Sequence, residues 1–317
     1  MIDLDVVIVN WNAGKQIIDC LNSLLVACQG SVLFKLSICV VVDNASTDGS
    51  SDDLESLPLP VRLVRNTRNT GFGYASNQGS KMGRSKYILF LNPDVRLAPD
   101  NLIKTITFME EAQNERVSAI GIQFIAGGEI QRTTARIPTR PSFFYQMLGL
   151  DHLWPKCFPP LLMTDWDHKD SKDLHHVPGA FLLVRRKVFE DLHGFDERFF
   201  MYYEDLDLSL RMGQAGWKIH YLATTQAFHQ GGGTTDQVRA GRHFYLLCSR
   251  VHYVAKHFGY WTAIGIVITS LLVEFWVRLG WSVGSLSGRN IIDTLRSYGM
   301  FVKALPALLR DIKDETE

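Results

Sequence analysis

Two carboxylates of this 317-residue chain stand within three residues of the end of an apolar run, at positions where the strands of a parallel sheet would end. Asp43 follows the run at 38–42, and Asp94 follows the run at 87–91. Ligands of open α/β sheets bind outside the carboxyl ends of the strands. Asp43 is therefore suited to accept hydrogen bonds from a nucleobase or ribose, and Asp94, held by the rigid Pro93, is suited to bind a divalent cation. The alternatives are a helix-capping turn at Asp43 and a Pro-Asp turn at Asp94.

A glycine-containing run at 69–77, NTGFGYASN, places small residues where the backbone would approach a ligand. It stands at the start of a predicted helix, whose free N–H groups favour anions. The run is not a dinucleotide-binding fingerprint, because such a motif follows the first strand, whereas this run follows the third and lacks the third glycine. By itself it indicates only a close approach of backbone to a ligand.

Adjacent carboxylates, Glu204 and Asp205, begin a further predicted helix and follow the aromatic run FFMYY at 199–203. Apolar surroundings raise the pKa of a carboxyl group and make it a better base, and aromatic faces are platforms for sugar rings. The alternative is that these acids only interact with the helix dipole. His229, ahead of Gln230 and three glycines, is a candidate to join Asp94 as a metal ligand, with a structural histidine as the alternative.

Composition excludes some classes of function and locates the basic charge. Lys+Arg and Asp+Glu both number 33, so the net charge gives no argument for a nucleic-acid partner. Residues 238–310 nevertheless carry nine basic and two acidic residues. At 46% hydrophobic residues, the chain is too apolar for an intrinsically disordered protein. Its five cysteines form no CxxC pair and are expected to be buried thiols of a reducing compartment.

The spacing of apolar residues predicts the elements that position these side chains. Strands are predicted at 6–10, 38–42, 61–64, 87–91, 117–124, within 176–185 and at 218–222. Helices are predicted at 17–28, 74–82, 99–113 and 204–215. This alternation indicates βαβ units on a largely parallel sheet. Residues 136–172, rich in Pro, Trp and Phe without clear periodicity, are predicted to form a long functional loop or flap.

The predicted organisation is one α/β catalytic domain, 1–237, followed by a basic and aromatic helical region, 238–317. The apolar segment 260–281 of that region is interrupted by Glu274 and Arg278, which leaves 14 uninterrupted residues against the roughly 20 needed to cross a bilayer. We therefore expect a helix that is buried or lies on a membrane surface. The residues that suit anionic headgroups and an aromatic anchor are Arg239, Arg242, Arg250, Lys256, Tyr260, Trp261, Leu271, Leu272, Phe275, Trp276 and Trp281. A helical cap and a homodimer interface remain the alternatives.

Six motifs, in order and spacing, resemble inverting glycosyltransferases of family 2, especially the rhamnosyltransferase-like bacterial branch. They are VVIVNWN, VVVDNASTDGS, NTGFGYASNQG, LFLNPDV, GAFLLVRRKVFEDLHGFDERFFMYYEDLDLSLRMGQAGW and FHQGGG. The resemblance covers about residues 4–258. It implies the nucleotide-diphospho-sugar transferase fold of the GT-A type, in which one α/β domain combines a nucleotide-binding half with an acceptor half.

The resemblance also implies roles for individual residues. Asp43 matches the nucleobase contact, and Asp94 matches the last acid of the DxD element that binds Mg²⁺ or Mn²⁺, with Asn92 in place of the first acid. His229 matches a histidine that completes the metal site in some members. Asp205 matches the catalytic base. Glu204 is the catalytic neighbour of Asp205. The residues expected on the donor side are Asn10, Asn12, Asp43, Asn69, Gly71, Asn77, Asn92 and Asp94. The residues expected on the acceptor side are Gly179, Ala180, Tyr202 and Tyr203.

The expected activity is an inverting transfer of a sugar from a nucleotide-diphospho-sugar to a hydroxyl group during synthesis of a cell-surface glycan, such as a cell-wall or O-antigen polysaccharide. L-Rhamnose from dTDP-rhamnose is the first expectation for the donor, and a polyprenyl-diphosphate-linked or polysaccharide molecule for the acceptor. The N-terminus lacks the features of a signal peptide, so a cytoplasmic enzyme, peripheral on the inner face of the cell membrane, is expected.

Three alternatives to this activity stay open. The first is the same transfer from a UDP- or GDP-sugar. The second is a sugar nucleotidyltransferase, which would need a Gly-rich, basic phosphate loop after the first strand, where this chain has NWNAGK. The third is a non-catalytic scaffold that binds nucleotide-sugars at the membrane, against which Asp205 argues.

Overall fold

The computed structural model of the chain describes residues 1–231, 239–285 and 287–316. The strands of these residues are β1 (Ile2–Asn10), β2 (Phe34–Asp43), β3 (Val61–Arg65), β4 (Tyr87–Leu91), β5 (Val95–Arg96), β6 (Val117–Ala126), β7 (Glu129–Gln131), β8 (Lys172–Leu174), β9 (Phe181–Arg185) and β10 (Lys218–His229). They form one sheet in the order β3-β2-β1-β4-β9-β6-β10-β5, with β7 paired to β6 and β8 to β10. The long pairings β1·β2, β1·β4, β2·β3 and β6·β10 are parallel, and β9 is antiparallel to β4 and β6. The predicted α/β fold with a mostly parallel sheet is confirmed.

Helices connect these strands and fill the C-terminal part of the chain. They are α1 (Gln16–Cys28), α2 (Phe72–Ser80), α3 (Asn101–Glu110), α4 (Arg140–Met147), α5 (Leu150–Leu153), α6 (Arg186–Asp191), α7 (Glu204–Gln214), α8 (Arg239–Phe258), α9 (Tyr260–Thr269), α10 (Phe275–Gly284) and α11 (Gly288–Thr316). A π-helical turn, Ser270–Glu274, joins α9 to α10 without a break. The described residues beyond the sheet are therefore helical, as the sequence predicts.

Both faces of the sheet are covered by apolar side chains. Helix α1 packs on one face, because its buried residues, such as Ile17 and Leu24, recur at helical spacing. On the other face Phe90 packs against Phe189. Strand β4 is consequently buried along its whole length. Polar groups of this strand emerge only after its end, at Asn92.

The chain divides into two compact units. The first comprises Met1–Arg136, Leu162–Glu197 and Glu204–Thr234, and contains the whole sheet. The second comprises Ile137–Leu161, Arg198–Tyr203 and Thr235–Glu317. The predicted boundary at 237/238, and the predicted glycine turn beyond Gly231, lie outside the described residues.

The predicted flap at 136–172 is partly helical. Helix α4 begins at a capping box in which Thr139 and Ser142 satisfy each other's backbone N–H groups. Its consecutive aromatic residues at 143–145 hide the helical period that the sequence analysis relied on. Residues 137–161, with α4 and α5, belong to the second unit.

The segment Tyr260–Gly284 is one helix, long and apolar enough by length and composition to cross a membrane, and 28% of its most apolar window is buried. Buried helices of soluble proteins also meet that criterion. Counting only 14 uninterrupted apolar residues underestimated this helix, because Glu274 is buried and pairs with Arg250 and Arg278. The same pairing corrects the placement of Arg250, which is buried within the unit and does not stand on its surface.

The five cysteines are free thiols, as expected. Cys20 and Cys39 are buried in the core of the sheet, and burial raises the pKa of both thiols. Cys157 is exposed, because its segment belongs to the irregular end of the predicted flap. The expectation of five buried thiols was therefore wrong for this residue.

Candidate active site

The carboxyl ends of β1 and β2 bring Asn10 and Asp43 together. Parallel pairing sets the two residues side by side, and Asn10 Nδ2 donates to Asp43 Oδ1 at 3.0 Å and to Ser50 Oγ at 2.9 Å. The second carboxylate oxygen of Asp43 accepts the backbone N–H of Ser46 at 3.4 Å. These contacts fix Asp43 at the strand end, where the nucleobase contact is predicted.

Asn12 connects the loops that follow β1 and β2. It adopts the left-handed conformation, with φ of 49°, which asparagine tolerates better than most residues. Its Oδ1 accepts the backbone N–H of Thr47 at 2.8 Å, and its own N–H donates to Ser46 Oγ at 2.9 Å. Asn12 therefore orders the loop on the predicted donor side.

The start of α2 depends on Asn69 and Gly71. Gly71 has a φ of 86°, and its N–H donates to Asn69 Oδ1 at 2.9 Å.

The side chain of Asn77, in contrast, hydrogen-bonds the backbone of the protein itself. Its Nδ2 donates to the carbonyl of Phe195 at 2.8 Å and its Oδ1 accepts the N–H of Phe195 at 2.9 Å. Because both ends of this buried amide are engaged, we withdraw Asn77 from the predicted donor contacts.

The two predicted metal ligands, Asp94 and His229, meet where β5 pairs with β10. His229 Nε2 lies 3.5 Å from Asp94 Oδ2. Gln131 Nε2 donates to the carbonyl of His229 at 3.0 Å, so Gln131 Oε1, 2.9 Å from His229 Nδ1, accepts the N–H of that nitrogen. The ring nitrogen that faces Asp94 is therefore unprotonated and presents a lone pair.

This pair fits a divalent cation. Burial lowers the pKa of His229, against the raising effect of Asp94, and so favours the neutral imidazole that metals bind. Across residues 1–231, 239–285 and 287–316 no three His, Cys, Asp or Glu side chains are grouped to hold a metal. The described residues thus offer two ligands here, Asp94 and His229, and Mg²⁺ typically completes such a shell with substrate phosphates and water.

Three groups meet the carboxylate of Asp205 in the first turn of α7. The N–H of Gly179 donates to Oδ2 at 2.9 Å, and the N–H of Leu206 donates to Oδ1 at 2.8 Å. His176 Nε2 lies 3.5 Å from Oδ2. The Nδ1 of His176 accepts the backbone N–H of Ala135 at 3.1 Å. Since a backbone N–H only donates, the neutral ring carries its hydrogen on Nε2, toward Asp205.

Glu204 and Asp205 are adjacent in sequence and have opposite surroundings. Burial, and then the charge of Asp205, raise the pKa of Glu204 well above its usual value, and its Oε2 has no hydrogen-bond partner among the described residues. Burial also acts to raise the pKa of Asp205, but His176 and the two backbone N–H groups outweigh burial and lower it. The expectation of a raised pKa therefore holds for Glu204 and fails for Asp205. Two carboxyl groups whose pKa values are driven apart are typical of acid–base sites.

The backbone segment Gly179-Ala180 links the predicted base, Asp205, to the predicted cation side near Asp94. Gly179 donates to Asp205, and the carbonyl of the next residue, Ala180, accepts the N–H of Asn92 at 3.0 Å. Asn92 stands two residues before Asp94. The antiparallel pairing of β4 with β9 sets this register. The predicted acceptor-side segment Gly179-Ala180 therefore contacts both predicted catalytic regions.

Tyr202 and Tyr203 belong to the second unit. Both have a φ of 69°, which is unusual for residues with a side chain. The ring of Tyr203 packs against Tyr253, with 5.2 Å between centroids, and against Phe143. Their place on the acceptor side stays a prediction.

Sequence reasoning missed His176 and Gln131. Neither residue lies in a spacing pattern, since His176 acts on a residue 29 positions away and Gln131 on one 98 positions away. The one available signal was the position of His176, three residues before the GAFLLVRR motif that contains Gly179.

The family model of glycosyl transferase family 2 matches residues 5–193 of the chain. That range contains Asn10, Asp43, Asp94, His176 and Gly179.

Two relatives carry rhamnosyltransferase names. The chain is 27% identical over 275 residues to an N-acetylglucosaminyl-diphospho-decaprenol L-rhamnosyltransferase of Mycobacterium tuberculosis, which covers 82% of this chain and 87% of the relative. It is 29% identical over 169 residues to the rhamnosyltransferase WbbL of Escherichia coli, which covers 50% of this chain and 60% of the relative. The similarity to the first relative extends into the second unit.

Among solved structures, a mannosyltransferase of Pyrobaculum calidifontis in complex with GDP-Man and Mn²⁺ matches with a TM-score of 0.53. The match covers 95% of this chain and 86% of that one, at 14% sequence identity. At this identity the match supports the fold alone.

Proposed function

The chain belongs to glycosyl transferase family 2 and is a glycosyltransferase, and on this premise we propose that it transfers L-rhamnose from dTDP-rhamnose to a polyprenyl-diphosphate-linked acceptor. The observation that carries the site assignment is the Gly179-Ala180 segment, which hydrogen-bonds Asp205 through one residue and Asn92 through the next. The names of the two relatives support the donor, and the diphospho-decaprenol in the name of one supports the acceptor.

Asp205 is the general base of this proposal. A sugar hydroxyl is a poor nucleophile, so Asp205 takes its proton as the oxygen attacks the anomeric carbon. The lowered pKa keeps Asp205 ionised at neutral pH, and 21% of its side chain is exposed to an incoming hydroxyl. A single displacement inverts the anomeric carbon and needs no covalent intermediate.

The departing nucleoside diphosphate leaves on the side of Asp94 and His229. A bound Mg²⁺ or Mn²⁺ would supply Lewis-acid neutralisation of the charge that develops on the diphosphate. Asp94 and the lone pair of His229 Nε2 are the groups that would hold it, and Gln131 keeps the imidazole in the required tautomer. The Mn²⁺ in the mannosyltransferase structure of the same fold is consistent with this cofactor.

Two further residues prepare the base without touching substrate. His176 donates toward Asp205 and restricts the orientation of the carboxylate. Burial raises the pKa of Glu204 and so disfavours a second negative charge beside the base. We therefore assign Glu204 and His176 positioning roles.

The second unit brings the enzyme to its acceptor in this proposal. Its excess of basic residues and its exposed Trp261, Leu272 and Trp276 are suited to an anionic membrane surface. The proposed location is the inner face of the cell membrane, with the enzyme peripheral. A helical cap and a homodimer are the competing roles of this unit.

The test has two stages. Thermal stabilisation is first measured with dTDP-rhamnose and with UDP- and GDP-sugars, each with and without Mg²⁺ or Mn²⁺, since a ligand of the native state raises its stability by mass action. Transfer to a polyprenyl-diphosphate-linked acceptor is then followed by mass spectrometry. Stabilisation by a UDP- or GDP-sugar in preference to dTDP-rhamnose would overturn the donor assignment, and binding of a nucleotide-sugar with neither hydrolysis nor transfer of the sugar would favour the scaffold alternative.

A further inference from the structure

The second unit contains a cavity of about 850 Å³ that the proposed catalytic residues do not line. Residues of α4, α8, α10 and α11 surround it, together with Tyr202 and the start of α5, and all of them belong to this unit. Ligand sites between packed helices have volumes in this range. The cavity is therefore large enough for a ligand of several functional groups.

Basic charge dominates the lining. Arg239, Arg242 and Arg278 line the cavity. Of the two acids of the lining, Glu274 pairs with the buried Arg250 as well as with Arg278, and Asp293 Oδ2 lies 4.0 Å from Arg239, beyond hydrogen-bond distance, so three arginines face two acids. The cavity thus keeps an excess of guanidinium groups, which suit the planar, bidentate recognition of phosphate oxygens.

Two buried side-chain nitrogens of the lining are unpartnered in the part of the chain that the structure describes, and the amide of Gln146 is the donor of the two. Among the described residues, the buried Nε2 of Gln146 has no hydrogen-bond partner, and neither has the buried Nε2 of His243. Ser297 Oγ donates to the carbonyl of Thr294 at 2.9 Å, so it accepts the N–H of His243 Nδ1 at 2.9 Å, and Nε2 of the neutral ring presents a lone pair. Burial, and then the nearby Arg278, lower the pKa of His243 to about 3, although Glu274 acts to raise it. Buried donors without acceptors are costly, and the oxygens of an anion would satisfy an amide such as that of Gln146.

Another part of the lining is apolar. Met147, Leu246, Val277 and Trp281 contribute to it, and Trp281 is 63% exposed. A free inorganic anion gains nothing from such side chains. The combination of arginines, the unpartnered amide of Gln146 and apolar groups instead fits an anionic head joined to a hydrocarbon chain.

We propose that this cavity binds the diphosphate of a polyprenyl-diphosphate-linked acceptor, with the arginines on the phosphate oxygens and the apolar residues on the first isoprene units. The identity of the lipid rests on the proposed function. The cavity itself is independent of the catalytic residues, so the two can fail separately.

The test measures binding of the full chain to phosphatidylcholine vesicles that carry either a polyprenyl diphosphate or phosphatidylglycerol at equal negative charge, with no sugar donor present. The pocket variant is Arg239→Gln with Arg242→Gln, since both side chains are exposed. The matched control is Arg289→Gln with Arg296→Gln, which removes two exposed arginines of the same unit that do not line the cavity. Circular dichroism and thermal melting check that both variants fold.

We expect the pocket variant to lose affinity for polyprenyl-diphosphate vesicles by on the order of 10- to 100-fold, because it loses two charge-assisted contacts to phosphate. The control should lose about twofold or less, as expected for diffuse attraction screened by salt. Inorganic pyrophosphate should compete only at concentrations far above that of the lipid. Equal losses in both variants, equal binding of the phosphatidylglycerol vesicles, or equal potency of inorganic pyrophosphate would each overturn the proposal.

A second variant, Asn290→Glu, keeps both arginines and adds a negative charge to the lining. It should weaken binding to polyprenyl-diphosphate vesicles as well, so the proposal stays testable if the double variant fails to fold. Unchanged binding by Asn290→Glu also counts against the site. Failure of the wild type to use any nucleotide-sugar would refute the proposed activity and leave these binding results intact.

Discussion

Two histidine–aspartate pairs of the first unit share one separation and have opposite chemistry. In each pair a histidine Nε2 lies 3.5 Å from an aspartate Oδ2. His176 carries its hydrogen on Nε2 and donates toward Asp205. His229 carries its hydrogen on Nδ1 and turns a lone pair toward Asp94. The first pair has a hydrogen between its two groups, whereas the second sets two lone-pair groups side by side, as the proposed cation site requires.

In each pair, an atom outside the pair determines the tautomer of the histidine. The far nitrogen of His176 meets a backbone N–H, that of Ala135, and the far nitrogen of His229 meets a carbonyl oxygen, that of Gln131. When a donor meets Nδ1 of a neutral imidazole, the ring hydrogen is on Nε2, which then donates to the aspartate. When an acceptor meets Nδ1, the hydrogen is on Nδ1, and Nε2 has a lone pair that can bind a cation. The same two residue types therefore present a donor to the proposed base in one place and a lone pair to the proposed cation site in the other.

Replacement of the base should have the largest effect. Asp205→Asn keeps the shape of the side chain and removes the proton acceptor, so the rate of transfer should fall by about 10²–10⁴-fold while donor affinity changes little. Steady-state kinetics with both substrates saturating measures this. Glu204→Gln is the matched control, because burial already disfavours the charged form of Glu204, and it should cost far less. Near-normal turnover of Asp205→Asn would remove the base assignment.

Replacement of the aspartate in the second pair should act through the cation. Asp94→Ala should lower the rate by about 10²–10³-fold with Mg²⁺ or Mn²⁺, because it removes the anionic ligand of a Lewis acid. Donor affinity, measured by calorimetry, should depend on the metal in the wild type and lose that dependence in the variant. Full activity of the wild type in excess chelator would instead make Asp94 a contact of the donor sugar.

The sequence predicted the elements around these pairs better than their ends. Strand β4 was predicted with its observed bounds because its apolar run is bounded by Lys86 and Asn92. Strand β10 was predicted to end at Leu222, seven residues short of His229. A register shift between Leu222 and Gln226 interrupts its alternation. That extension is what carries His229 to the side of Asp94.

The carboxylates of the site were predictable and their partners were not. Asp94 and Asp205 follow local rules, at a strand end and in a first helical turn. Gln131 owes its role to the pairing of β6 with β7, and His176 owes its role to contacts with Ala135 and Asp205, which are distant from it in sequence. The lowered pKa of Asp205 depends on those contacts as well, so the sequence could suggest only the opposite shift.

Changing the far partner of His229 tests the tautomer directly. Gln131→Leu removes the acceptor of the Nδ1 hydrogen, so the imidazole is free to turn or to exchange tautomers, and metal affinity should fall by about 10–100-fold. Gln131→Glu restores an acceptor and should recover most of the loss. Titration of Mn²⁺ by electron paramagnetic resonance reads this without an activity assay. Equal metal affinity in all three proteins would contradict the assigned tautomer.

The smallest effect is expected at His176, because this residue only assists the base. Its Nε2 carries the hydrogen that is directed toward Asp205. His176→Leu should lower the rate by about 10-fold, at the low end for a group that assists a base. His176 lowers the pKa of Asp205, so its loss raises that pKa and the acid limb of the pH–rate profile should move to higher pH. His176→Gln keeps an N–H donor and should return both rate and profile toward the wild type. A purely structural histidine would lower the amount of folded enzyme in both variants and leave the position of the acid limb unchanged.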